Sequence, residues 1–119
     1  VDEFVSRASR VLPAEIEGLF GGQGRFRRWS LFGPLDAPPF TVVAETEMAP
    51  GAFVGLHVQP DQQEILYVLE GQGTFRIDGR EAAVSQGDAI LARAGSNFGL
   101  RNTADGPLRY LVIKCKCAP

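Results

Sequence analysis

From residue 40 onward, short runs rich in Val, Ile, Leu and Phe alternate with turn residues, and no apolar repeat of helical period interrupts them. The runs 40–47, 53–58, 64–69, 74–77, 81–84, 89–92, 97–101 and 108–117 read as strands, preceded by a further strand-like run at 26–32. Asp78-Gly79 is a two-residue hairpin signal, because a type I′ turn needs positive φ at both central positions. Gly51, Gly71-Gln72-Gly73, Gly87, Gly95 and Asp105-Gly106 mark the other reversals. Ahead of the strands, Phe4, Val5, Ala8, Val11 and Leu12 fall near helical spacing, with an acidic first turn and Pro13 beyond, so residues 2–12 are expected to form one short helix. Glycines at 21, 22 and 24 then give a flexible entry to the first strand, and Gly33-Pro34 and Pro38-Pro39 punctuate a loop.

Many short strands at near-regular spacing predict an all-β domain: an antiparallel jelly-roll barrel or sandwich with a short N-terminal helix. A length of 119 residues suits one domain. Within it, residues 1–39 are expected to pack a helix and a leading strand and loop onto a barrel core at 40–119.

Apolar residues at 45% and charged residues at 22% describe a chain that buries a core. The net charge of −2 leaves no basic face for phosphates, the arginines being scattered apart from Arg25, Arg27 and Arg28, so nucleic acid is not an expected partner. No apolar run approaches the roughly 20 residues of a spanning helix and no secretory pattern opens the chain, so the expectation is a cytoplasmic protein with no membrane partner. Cys115 and Cys117 lie two apart in a strand, near the outer limit for a disulfide, and are expected as free, packing thiols.

Strand parity puts Phe53, Gly55, His57 and Gln59 on one face and Glu64, Leu66 and Val68 on one face of the next strand. If both faces point inward, an imidazole, an amide and a carboxylate meet in an apolar interior, where each needs a partner: another of the three, water, a ligand or a metal. The plainer alternative is a buried His57 satisfied by Glu64 or Gln59. Tyr67 falls on the opposite face from Glu64 and reads as packing or interface. Arg93 reads as a rim residue or as a capture point for a substrate anion. Trp29 and Phe53 read as core or as an aromatic wall.

The segment from Gly51 to Gly71 resembles the first cupin motif, G-x5-H-x-H-x4-E-x6-G, with Gln59 standing where the second His belongs. The segment from Gly87 to Asn102 resembles the second, G-x5-P-x-G-x2-H-x3-N, with Arg93 in place of Pro and Phe98 in place of His. The resemblance implies a small single-domain cupin that pairs as a homodimer through its sheets. It also implies a divalent transition metal (Fe, Mn, Ni, Cu or Zn) held at the motif positions, here reduced to His57, Gln59 and Glu64. His57 is the only histidine, so neither a three-His site nor a two-His-one-carboxylate triad can be assembled within one chain. Phe98 either lines the substrate pocket or fills the space the metal would take.

Three functions compete. The first is a small-molecule enzyme of isomerase, cyclase, lyase or decarboxylase type, with His57 and Glu64 as acid and base and Gln59, Phe98, Phe53 and Arg93 around the substrate. The second is a metal-assisted version, extending to an oxygenase, and the third a non-catalytic metabolite-binding module.

Overall fold

A computed structural model describes residues 4–117. Ten strands follow in chain order: β1 (Ala14–Glu17), β2 (Arg25–Ser30), β3 (Phe40–Met48), β4 (Phe53–Val58), β5 (Gln62–Glu70), β6 (Gln72–Ile77), β7 (Arg80–Ser85), β8 (Ala89–Ala92), β9 (Asn97–Asn102) and β10 (Leu108–Lys116). They form a six-stranded sheet, β1-β2-β3-β10-β5-β8, facing a four-stranded sheet, β4-β9-β6-β7, and all strand pairs in both are antiparallel. The result is a jelly-roll β-sandwich.

Alternation in sequence becomes alternation in burial. On β5, Glu64, Leu66 and Val68 are buried while Ile65, Tyr67 and Leu69 are exposed. Phe26, Met48, Val68, Phe75, Leu108 and Tyr110 anchor the core between the sheets. Asp78 (φ 48°) and Gly79 (φ 79°) make the turn from β6 to β7 with both central residues left-handed, as that dipeptide predicts.

Two sequence expectations differ from the structure. The helix expected over 2–12 is a single 3-10 turn at Ala8–Arg10 among the described residues, with positions 2 and 3 lying outside them. A helix this short is marginal unless its apolar face is packed, and Phe4 and Leu12 remain more than four-fifths exposed. β1 is an additional strand. Its sequence Ala-Glu-Ile-Glu carries one large apolar residue, too little to register as a strand, yet it pairs in full with β2.

Residues 18–24 connect β1 to β2 and run along the free edge of β4. Gln23 and Phe53 exchange backbone hydrogen bonds, and the Gly55 amide donates to the Leu19 carbonyl. Two glycines allow this approach: a Cβ on Gly22 would lie 2.0 Å from the Phe53 carbonyl oxygen, and one on Gly55 would lie 2.0 Å from that of Phe20. The connection therefore covers an otherwise unpaired strand edge and carries Phe20 to the mouth of the sandwich.

Candidate functional site

His57, Gln59 and Glu64 meet inside this mouth. Glu64 enters on the inward face of β5 and is 5% exposed. His57 enters from β4, opposite Phe98 of β9. Its Nδ1 donates to the Gly55 carbonyl at 2.9 Å, so the neutral ring presents a lone pair at Nε2. The side-chain amide nitrogen of Gln59 lies 3.2 Å from that lone pair and 2.6 Å from Glu64 Oε1. Both neighbours are acceptors, so the NH2 group is the end of the amide that fits between them. Gln59 Oε1 is left buried with no hydrogen-bond partner.

Two cations complete the interior. Lys114 sits opposite Glu64 in the β10–β5 register, with its Nζ 3.9 Å from Glu64 Oε1 and its side chain 13% exposed. Burial holds the Lys114 ammonium below its ordinary range; Glu64 opposes that shift and Arg28 adds to it. Arg28 arrives from β2, and its Nε is buried without a partner. Tyr110, also on β10, has its phenol pushed above the usual range by burial, with Arg28 pulling down and Glu64 pushing up. Together with Phe98 and Phe75 these groups line a cavity of about 30 Å³, room for one or two water molecules.

Phe20 closes it. Its ring lies parallel to the His57 imidazole, centroids 3.8 Å apart and planes 5° apart, while Lys114 Nζ is 5.4 Å from the centroid of the Phe20 ring. Phe98 packs on His57 at 4.4 Å, tilted by 50°.

The residues singled out by sequence divide into two groups. His57, Gln59, Glu64 and Phe98 come together. Phe53 and Arg93 do not join them. A register shift between Val54 and His57 breaks the strict alternation of β4, so Val54 pairs with inward Leu100 while Phe53 pairs with outward Arg101. Phe53 therefore lies on the outer face of the four-stranded sheet, beneath the Arg101 guanidinium at 4.3 Å, and lines a separate open groove of about 500 Å³. Arg93 is exposed in the turn between β8 and β9, where its carbonyl accepts from Ser96, and it lines neither hollow. Both cysteines are free thiols of intermediate burial.

Lys114, Arg28 and Phe20 escaped the sequence reading. Lys114 had a signal: Leu111, Ile113 and Cys115 on one face of β10 place Tyr110, Val112 and Lys114 on the other. Arg28 follows buried Phe26 by the same two-residue step. Phe20 had none, because its place depends on backbone contacts of Gly22 and Gly55.

The arrangement does not fit the transition metal that the motif implies. One imidazole and one carboxylate are available, the carboxylate already faces an ammonium, and the amide turns hydrogens, not oxygen, toward both. Among the described residues, no three His, Cys, Asp or Glu side chains cluster. Lys114 and the Gln59 NH2 group both face the Glu64 carboxylate.

Two antiparallel sheets enclosing a small polar centre, with the spacing of both motifs intact, define a cupin-type jelly roll. The chain belongs to the cupin family: the model of the Cupin domain matches residues 44–114, more than half of its length. It is 28% identical over 110 residues to an oxalate-binding protein of Thermotoga maritima, covering 92% of this chain and 91% of that one. The crystal structure of a predicted oxalate decarboxylase from Thermotoga maritima superposes with a TM-score of 0.87 at 26% identity, covering 95% of this chain and 99% of the other. A polyketide cyclase from Streptomyces resistomycificus shares the fold, with a TM-score of 0.72 at 24% identity over 94% and 78% of the two chains. Among the described residues, no helix is long and apolar enough to cross a membrane.

Proposed function

We propose that this cupin binds a small carboxylate between its sheets and transforms it by metal-free proton transfer, in the manner of an isomerase, cyclase, lyase or decarboxylase. The observation that carries the reading is the charge balance of the interior: Lys114 and Arg28 line the cavity with a single carboxylate, Glu64, between them. An unpartnered, buried Arg28 Nε is a donor awaiting an acceptor. The name of the Thermotoga oxalate-binding relative agrees with a carboxylate ligand.

In this reading Lys114 and Arg28 hold the ligand's anionic group. His57 accepts a proton only at Nε2, since Nδ1 is committed to Gly55, and the Gln59 amide must release that lone pair as the ligand enters. Glu64 stabilises the imidazolium that forms, and the imidazolium returns the proton to the ligand from the same Nε2. Gln59 thus links acid and base in the resting site and orients a ligand oxygen in the occupied one.

Calorimetric titration with oxalate, alongside NMR of the same mixture, tests the reading. Binding by the wild type, weakened about tenfold or more in Lys114→Met, is the expected result. No binding, or equal binding by the variant, would overturn it. Bound oxalate that stays unchanged, in parallel with a panel of larger carboxylates that also stay unchanged, would favour the metabolite-binding alternative.

The reading includes a homodimer. Ile65, Tyr67, Leu69 and Leu91 are exposed on the outer face of the six-stranded sheet, where Ile65 pairs with Leu91 and Ile113. A contiguous apolar face of this kind is suited to a second copy of the chain. Light scattering should report two chains per particle, and one chain for Tyr67→Arg combined with Leu91→Arg.

A further inference from the structure

The geometry points to Lys114 as a covalent nucleophile, an amine that condenses with the keto group of a small 2-oxo acid to form an imine inside the sandwich. This rests on the reading that a carboxylate enters between the sheets, and adds the second functional group of that ligand.

The chain carries ten arginines but two lysines, Lys114 and Lys116. Both lie on β10, in opposite surroundings. Lys116 ends the strand and is exposed. The Lys114 side chain is 13% exposed and lines the inner cavity with His57, Glu64 and Arg28. An arginine there would supply a positive charge equally well and could pair with Glu64 through two parallel hydrogen bonds. What a lysine adds is an amine able to lose its proton and attack carbon. Burial favours that neutral form at Lys114, with Glu64 opposing the shift and Arg28 adding to it.

The groups around the amine match the steps of the condensation. For a ligand with a keto group, Arg28, whose Nε is buried without a partner, holds the carboxylate, and Lys114 turns from counter-ion to reactant. Glu64 Oε1 lies 3.9 Å from Lys114 Nζ, a small side-chain movement beyond hydrogen-bond reach, and accepts the ammonium proton. The freed amine attacks the keto carbon: a C–N bond forms, the π pair of the carbonyl passes to oxygen, and Glu64 delivers its proton there. Glu64 then takes a second proton from the nitrogen and gives it to the new hydroxyl, which leaves as water while the C=N bond forms. The nitrogen keeps one proton as an iminium, Glu64 is again a carboxylate, and the step needs no oxidant or reductant.

The iminium draws electrons from the carbon next to it, so a proton on that carbon becomes removable by His57 Nε2, the ring nitrogen not committed to Gly55. The cavity of about 30 Å³ is smaller than even a short 2-oxo acid, so the half-exposed Phe20 ring, which packs on both His57 and Lys114, must give way on entry.

Pyruvate with sodium cyanoborohydride tests the assignment on the wild-type chain, and acetone is the control that has the ketone without the carboxylate. The hydride reduces the imine to a stable secondary amine, which tandem mass spectrometry of peptides locates. Pyruvate should label Lys114 at least about tenfold more than Lys116, and at least about tenfold more than acetone labels Lys114. Lys114→Arg keeps the charge and should leave background label alone, whereas Arg28→Gln should keep label on Lys114 and lose the preference for pyruvate over acetone. Equal label on the two lysines, or none on Lys114, overturns the imine. Oxalate has no keto group, so its binding by calorimetry judges the anion-binding reading separately: oxalate bound with Lys114 unlabelled removes the imine and leaves the anion site standing.

Discussion

Two carboxamides, Asn102 on β9 and Gln59 just beyond β4, are handled in opposite ways. Asn102 is closed: its Nδ2 donates to the carbonyls of Met48 and Gly106, and its Oδ1 accepts from the Ala104 amide. Gln59, beside Phe98 and His57, is open: both its N–H bonds are used but its Oε1 has no partner, and Arg28 Nε shares that condition in the same interior. Buried polar groups are mostly satisfied by the fold, and those left without a partner call for an explanation; Thr46 Oγ1 and Arg109 Nε, which line neither hollow, share that condition with Gln59 Oε1 and Arg28 Nε. The first amide ties the turn between β9 and β10 to the end of β3, and the second bridges His57 and Glu64.

Substitutions separate the two surroundings. The largest effect belongs to the open one: His57→Ala and Glu64→Gln should each lower turnover of the true substrate by about 10²–10⁴-fold while leaving thermal unfolding close to the wild type. Equal turnover in both variants would reduce the centre to packing. Next comes metal affinity. Gln59→His with Phe98→His restores two imidazoles to the motif, and calorimetry should find Mn²⁺ or Ni²⁺ bound on the order of 100-fold more tightly than by the wild type; equally tight binding by the unmodified chain would contradict the donor arrangement described above.

The closed carboxamide should show itself in stability. Asn102→Leu strands two carbonyls and an amide, and urea denaturation should register a loss of about 2–4 kcal/mol. Gln59→Leu should cost about 1 kcal/mol or less, because the lost hydrogen bonds are offset by removal of a buried oxygen that had none. Similar losses at both positions would erase the distinction.

Alkaline pH gives the smallest signal. The folded state lowers the Lys114 pKa, so between that value and the ordinary lysine range the unfolded chain binds more protons, and stability rises as pH rises through this window. Tyr110 acts oppositely: its folded pKa is raised, so its contribution is full below about pH 10, the ordinary tyrosine value, and is lost above it. Lys114→Met should abolish the rise, and Tyr110→Phe should flatten the fall, in denaturation midpoints measured across that range.

Much of this was legible in the chain. The eight runs from residue 40, the strand at β2 and the Asp78-Gly79 turn follow from period-two alternation and from the φ demands of single residues, which are local properties. Motif spacing likewise brought His57, Gln59, Glu64 and Phe98 to one place. The N-terminal helix failed because periodicity states which face is apolar, not whether anything exists to cover it. Parity carried Phe53 inward with His57 until one irregular step in β4 turned it out to Arg101, and no residue type announces such a step.

What the linear chain determined, then, is the succession of strands and the donors placed by short spacings along them, since alternation and turn chemistry act within a few residues. Tertiary structure alone decided the charge and closure of the site. Lys114 meets Glu64 only because β10 lies beside β5, fifty residues apart in sequence, and Phe20 meets His57 only because two glycines let a connecting segment lie against β4. Long-range register and backbone clearance are sums over the whole fold, and no local pattern contains them.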